Sequence, residues 1–138
     1  MPARGALRTV AAVTTPPDQL PKTVQKPWGH EVWYAHTDRY AGKIIVVEPG
    51  HRLSLQYHVA KDETSYLLDG KLRLWQGPDA DSLTEREVGP GEAWRNHTGL
   101  VHTIEAIERA TVLEVSTPEL DDVVRLEDKY GREGTSGG

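Results

Sequence analysis

Gly50-His51-Arg52-Leu53-Ser54-Leu55-Gln56-Tyr57-His58-Val59-Ala60-Lys61-Asp62-Glu63 is the stretch on which the reading of this chain turns. Side chains alternate faces along a strand, so Arg52, Ser54, Gln56 and His58 share one face while Leu53, Leu55 and Tyr57 share the other. Taken alone, a Gln-x-His pair on such a strand reads as a solvated polar face. The spacing around it is more specific: Gly50, five residues, Gln56, one residue, His58, four residues, Glu63, six residues, Gly70. A second ordered block follows about twenty residues on, with Gly91, five residues, His97, one residue, Gly99, two residues and His102.

Outward from this stretch the chain is a succession of short β-like runs, at 31–35, 42–47, 53–58, 65–68, 71–76, 84–88, 101–107 and 111–116. Turn signals separate them at Pro49-Gly50, Asp69-Gly70, Gly77-Pro78 and Gly89-Pro90-Gly91. Asp69-Gly70 reads as a tight hairpin turn, since Gly tolerates positive φ. Regular short strands with almost no helical period predict an all-β fold, a sandwich or a barrel. Residues 1–27, with Thr14-Thr15-Pro16-Pro17 and Pro21, read as a flexible arm, 28–132 as the folded domain, and the Gly/Ser-rich 133–138 as a loose tail.

At 138 residues the chain has material for one core. No apolar run approaches the ~20 residues of a spanning helix, and the start lacks a signal-peptide pattern, so the expectation is a cytoplasmic protein with no membrane partner. Cysteine is absent, which leaves nitrogen and oxygen as the donors for any metal. A net charge of −5 with Lys and Arg scattered singly argues against a nucleic-acid partner and for a small molecule.

The two spaced blocks match the two cupin motifs in order, with Gln56 where the first usually has His, His97 where the second has Pro, and Ala106 where it has Asn. From Lys26-Pro27-Trp28-Gly29 through Arg52-Leu53-Ser54-Leu55-Gln56-Tyr57-His58 to Val124-Arg125-Leu126-Glu127-Asp128-Lys129-Tyr130-Gly131-Arg132, the chain resembles the mannose-6-phosphate isomerase (type II) domain of the bifunctional isomerase/guanylyltransferases. The resemblance implies an all-β fold, a single antiparallel jelly-roll (cupin) barrel, in which Gln56, His58, Glu63 and His102 ligate one divalent metal. Such nitrogen and oxygen donors suit zinc first, and also iron, manganese or nickel. Where those isomerase domains carry a His-His-His-Arg-x-Glu-His-Trp run, this chain has His58-Val59-Ala60-Lys61-Asp62-Glu63-Thr64-Ser65, which keeps the ligand positions without the basic and aromatic surround. No Gly-rich nucleotide-binding loop is read in these residues, so nucleotide transfer is not among the expectations.

The implied activity is aldose–ketose isomerisation, or epimerase-like chemistry, on a sugar or sugar phosphate through an enediol. The alternatives are a non-catalytic sugar-binding cupin and a metal-dependent dioxygenase or lyase. Lys43 shares parity with Ile45 and Val47 and so faces the barrel, where an ammonium needs a partner or a ligand. Lys43 and His97 are the candidate general bases; the bland readings are a rim lysine and a turn residue. Arg52, on the face of Gln56 and His58, is the candidate for holding a substrate anion through its bidentate fork, against a rim salt bridge. His30, His36 and His51 read as solvated, the Glu119-Leu120-Asp121-Asp122 run as a solvated edge, and Arg125, Asp128, Tyr130 and Arg132 as packing for a C-terminal segment. Exposed sheet edges suggest a homodimer.

Overall fold

Alternating apolar and polar residues set the secondary structure almost throughout. In the computed structural model, which describes residues 14–135, one 3-10 turn, Pro17–Gln19, precedes ten strands: β1 (Lys22–Lys26), β2 (Gly29–His36), β3 (Ala41–Val47), β4 (Leu55–Tyr57), β5 (Glu63–Gly77), β6 (Thr84–Val88), β7 (Ala93–Asn96), β8 (Val101–Ser116), β9 (Val124–Glu127) and β10 (Gly134–Thr135). Every pairing is antiparallel and the strands form one curled sheet. One layer runs β1-β2-β3, the second half of β8, the first half of β5, then β7. The other runs β6, the second half of β5, the first half of β8, then β4, β9 and β10. This is the all-β jelly-roll barrel expected. No described helix is long and apolar enough to cross a membrane.

The hairpin expected at Asp69-Gly70 is not there. Residues 65–68 and 71–76 lie on one strand, β5, and 101–107 and 111–116 lie on one strand, β8, with register shifts between Leu67 and Leu72 where both bend together. Gly70 has φ of +95°, and a Cβ there would stand 2.1 Å from the backbone oxygen of Arg109. The glycine therefore serves the close approach of a bending partner strand, and not a chain reversal.

Two boundaries also move. Lys22–Lys26, inside the expected arm, form β1 along β2. Their side chains are mostly exposed, so this edge strand carries no apolar signal that a sequence reading detects. Gly134–Thr135, in the expected tail, pair with β9. Residues 1–13 of that arm and 136–138 of that tail lie outside the described residues.

The barrel interior is graded. Ile45, Val112 and Leu67 stand in register across β3, β8 and β5, and the neighbouring inward row is Lys43, Glu114 and Ser65. The apolar end holds Trp28, Val47, Leu72, Leu74 and Ile104. Burial of each large aliphatic side chain there is worth about 1.5–3 kcal/mol. That end anchors the sheet and leaves the polar end to form a cavity.

Gly70→Ala tests the bend. The variant is expected to lose about 3 kcal/mol of stability through positive-φ strain and backbone overlap, read from urea denaturation midpoints, whereas Gly99→Ala, whose Cβ meets nothing within 4 Å, carries the φ cost alone.

Candidate metal centre

β4 pairs with β8 so that Gln56 is directly opposite His102. The turn after β4 returns the chain to β5, which begins at Glu63. These connections bring His58, Glu63 and His102, all buried, to one point: their ligand atoms lie within 4.8 Å of one another. His58 Nε2 is 3.4 Å from Glu63 Oε1, and His102 Nε2 is 3.5 Å from Glu63 Oε2.

The other ring nitrogens define the tautomers. His58 Nδ1 meets the carbonyl of Asp122, and His102 Nδ1 the carbonyl of Leu100 at 2.8 Å. A carbonyl only accepts, so both Nδ1 atoms carry the proton and both Nε2 atoms present lone pairs. Neither Nε2 has a hydrogen-bond partner although both are buried. Burial pushes the His102 imidazole down to about 4, so it is neutral at neutral pH. Two bare nitrogen lone pairs and a carboxylate aimed at one point, otherwise a costly arrangement, fit a divalent cation.

Glu63 is fixed from both sides. Asn96 Nδ2 donates to Oε2 at 2.9 Å, and Asn96 Oδ1 in turn accepts from Gln76 Nε2 at 2.8 Å. The buried Lys61 ammonium sits 3.1 Å from Oε1 and 3.4 Å from Glu114 Oε2. Burial works against the Glu63 charge, but the Lys61 ammonium, the largest opposing influence, outweighs it and leads the groups that hold the carboxyl well below the usual range. Glu114 moves the other way: burial first, then the Glu63 charge, raise it against the opposing pull of Lys61. Gln56 lines the same cavity, its Oε1 accepting from Ser54 Oγ at 2.6 Å. A second lone pair on that oxygen remains for a cation.

The cavity, about 70 Å³, also takes in Lys43, Trp94, Leu120, Val123, Arg125 and Arg132. A model of the family described as "Mannose-6-phosphate isomerase C-terminal" matches residues 17–128. The chain belongs to this family. Mannose-1-phosphate guanylyltransferase ManC of Salmonella typhimurium is 32% identical over 116 residues, covering 80% of this chain and 23% of the relative. The xanthan biosynthesis protein XanB of Xanthomonas campestris pv. campestris is 30% identical over 116 residues, covering 80% and 24%. This chain thus spans about a quarter of the length of these curated relatives. Among solved structures, oxalate decarboxylase from Bacillus subtilis superposes with a TM-score of 0.69 at 19% identity, covering 85% of this chain and 33% of that one. The capsular polysaccharide assembling protein CapF from Staphylococcus aureus gives 0.66 at 20% identity, covering 77% and 32%. These likenesses establish the cupin fold.

Within this member of the mannose-6-phosphate isomerase C-terminal family, the other expected site residues divide. Lys43 faces the cavity, paired with Glu31 at 3.0 Å; Trp33 Nε1 donates to the same carboxylate oxygen at 2.8 Å. Arg52 is not among the cavity-lining residues. Regular strand begins only at Leu55, and Arg52 makes an isolated bridge to Glu105, so counting alternate faces back from Gln56 fails there; Leu53 and Ser54 both reach the cavity. His97 is exposed, its Nδ1 2.9 Å from the Thr98 carbonyl, outside the cavity. His36, expected in solvent, is buried between Thr15 Oγ1 and the Pro118 carbonyl. Asp122, expected on a solvated edge, accepts from the backbone N–H groups of Val59, Ala60 and Lys61 at 3.0, 2.6 and 2.8 Å and so shapes the loop between His58 and Glu63. Lys61, Asn96 and Glu114 carried no sequence signal beyond the inward parity of Glu114 with Val112.

Two outcomes test the centre. The protein as purified is expected to hold about one divalent ion per chain, and the His58→Ala/His102→Ala double variant none, by elemental analysis. Asn96→Ala removes no donor but frees one side of Glu63, and is expected to weaken metal affinity roughly 10–100-fold in a chelator competition.

Proposed function

We propose that this domain isomerises an aldose or ketose phosphate by moving a proton between adjacent carbons, with one divalent cation, zinc first among the candidates, held by Gln56, His58, Glu63 and His102. The observation that carries this reading is the pair of bare, buried Nε2 atoms facing Glu63, inside a chain of the mannose-6-phosphate isomerase C-terminal family. The nucleotidyl transfer in the names of the relatives belongs to chains about four times as long and is not part of the proposal.

A cation bound there supplies polarisation of a carbonyl and its neighbouring hydroxyl, which acidifies the C–H between them. The chain's own residues do the rest. Glu114 is the proton carrier: it faces the cavity, stands outside the donor set, and burial and the Glu63 charge raise its pKa, which strengthens it as a base. It takes the C2 proton of an aldose, the bonding pair forms the C1–C2 double bond, and the carbonyl π pair moves to O1, giving an enediolate. Return of that proton to C1, with transfer of the O2 proton to O1, gives the ketose, so nothing is consumed. Lys43, opposite Glu114 in the β3–β8 register, places an ammonium beside the oxygens on which charge develops. Trp94, Leu120 and Val123 keep bulk water from the reacting carbons.

Incubating the metal-loaded protein with aldose and ketose phosphates in deuterated water tests this. The wild type is expected to exchange the carbon-bound hydrogen next to the carbonyl, and Glu114→Gln to slow exchange about 100- to 10,000-fold with metal content unchanged. Wild-type rates in Glu114→Gln would remove that residue from the role, and no exchange with any sugar phosphate would sink the isomerase.

A homodimer is part of the same proposal. On the outer face Val32, Ile44, Leu113 and Tyr66 form a row in register across four strands, flanked by Tyr34, Leu68 and the 57% exposed Val115. Apolar surface of this continuity favours a partner. Sedimentation is expected to show a dimer that Val115→Glu shifts toward monomer.

A further inference from the structure

We infer that Arg125, on β9, is the residue that holds the acid group of the cavity's ligand, the place the sequence assigns to Arg52. β9 pairs with β4 so that Arg125 is opposite Gln56, which is itself opposite His102. One row across three strands thus runs from a cation donor through the amide to a guanidinium. Val123 and Arg125 line the cavity while Val124 between them and Leu126 after them do not, so alternation points the arginine inward. Arg125 is only 6% exposed, and in such surroundings a guanidinium–oxyanion contact is strong and its planar fork selects a phosphate or carboxylate.

The charges around the cavity call for such a ligand. Lys43, Lys61, Arg125 and Arg132 line it together with Glu31, Glu63 and Glu114. The Arg132 guanidinium is bound to Asp128 at 2.8 and 3.2 Å, which brings the group to balance. A divalent cation at His58, Glu63 and His102 then leaves two positive charges uncompensated in a buried space, and a dianionic ligand restores the balance. Arg52, outside the cavity and bridged to Glu105, cannot supply the contact from its place. The inference rests on the cation-centred reading of the cavity and deepens it by naming where the acid group lies.

The experiment is calorimetric titration of zinc-loaded protein with inorganic phosphate, oxalate and mannose 6-phosphate, and with mannose as the neutral comparator. Phosphate and oxalate are small enough for a cavity of about 70 Å³, and their relative affinities tell a phosphate ester from a carboxylate as the natural group. The wild type is expected to bind at least one oxyanion. Arg125→Gln should weaken it roughly 30-fold or more, Arg125→Lys should fall between, and Arg52→Gln should leave it unchanged; zinc content stays equal in all. If Arg125→Gln does not fold, Arg125→Lys decides, and unchanged affinity there overturns the inference. So does a loss confined to Arg52→Gln, or the absence of oxyanion binding to the wild type. Arg125-dependent binding without deuterium exchange removes the isomerase and keeps this site. Exchange with oxyanion binding indifferent to Arg125 does the reverse.

Discussion

The whole arrangement hangs on the pairing of β5 with β8. Each is long enough to lie in both layers, and a straight strand of 15 residues would separate its ends by about 45–50 Å. Yet Glu63, at the start of β5, meets His102, whose ladder partner Gln76 is near the end of the same strand. The two strands must therefore curl together through most of a turn. Gly70 and the adjoining register shifts make that possible, by letting the backbones approach where both bend. Curling delivers the ends of strands from both layers to one opening, and the donors are all near strand ends.

The polar interior carries a cost of burial. Alternating charges, Glu31 with Lys43 and Glu63 with Lys61 and Glu114, keep the ionised groups compatible with burial. The imidazole nitrogens have no such relief, since each Nδ1 is tied to a carbonyl and each Nε2 faces a carboxylate. A fold optimised for stability alone would fill this end with aliphatic side chains, as the other end is filled. Retaining the network here marks it as the working part of the barrel.

What the sequence made legible follows the same geometry. His58, Glu63 and His102 were legible through the family resemblance, whose two motifs keep fixed offsets within each block, and the fold brings their ligand atoms within 4.8 Å of one another. The fold class was readable from the succession of runs and turns. Arg52 and His97 were misplaced because alternation was extended through Leu53–Ser54, where the strand is irregular, and because the second block's turn points its first histidine outward. Lys61, Asn96 and Glu114 come from three different chain regions and meet only across the ladder, so no local spacing announces them. Arg125 reads in the sequence as packing of a C-terminal segment, and β9 does pair with β4, from some seventy residues away.

Asp122 changes what the end of the chain is for. Its carboxylate gathers three consecutive amides of the loop between His58 and Glu63, and its carbonyl fixes the His58 ring. Every donor precedes residue 103, so a piece of this protein ending near Ser116 would look complete by an inventory of ligands. It would nonetheless lack the clasp that orients one of them, together with the strand that closes the cavity's far wall. The segment after β8 thus shapes the candidate centre together with the residues that could hold the cation.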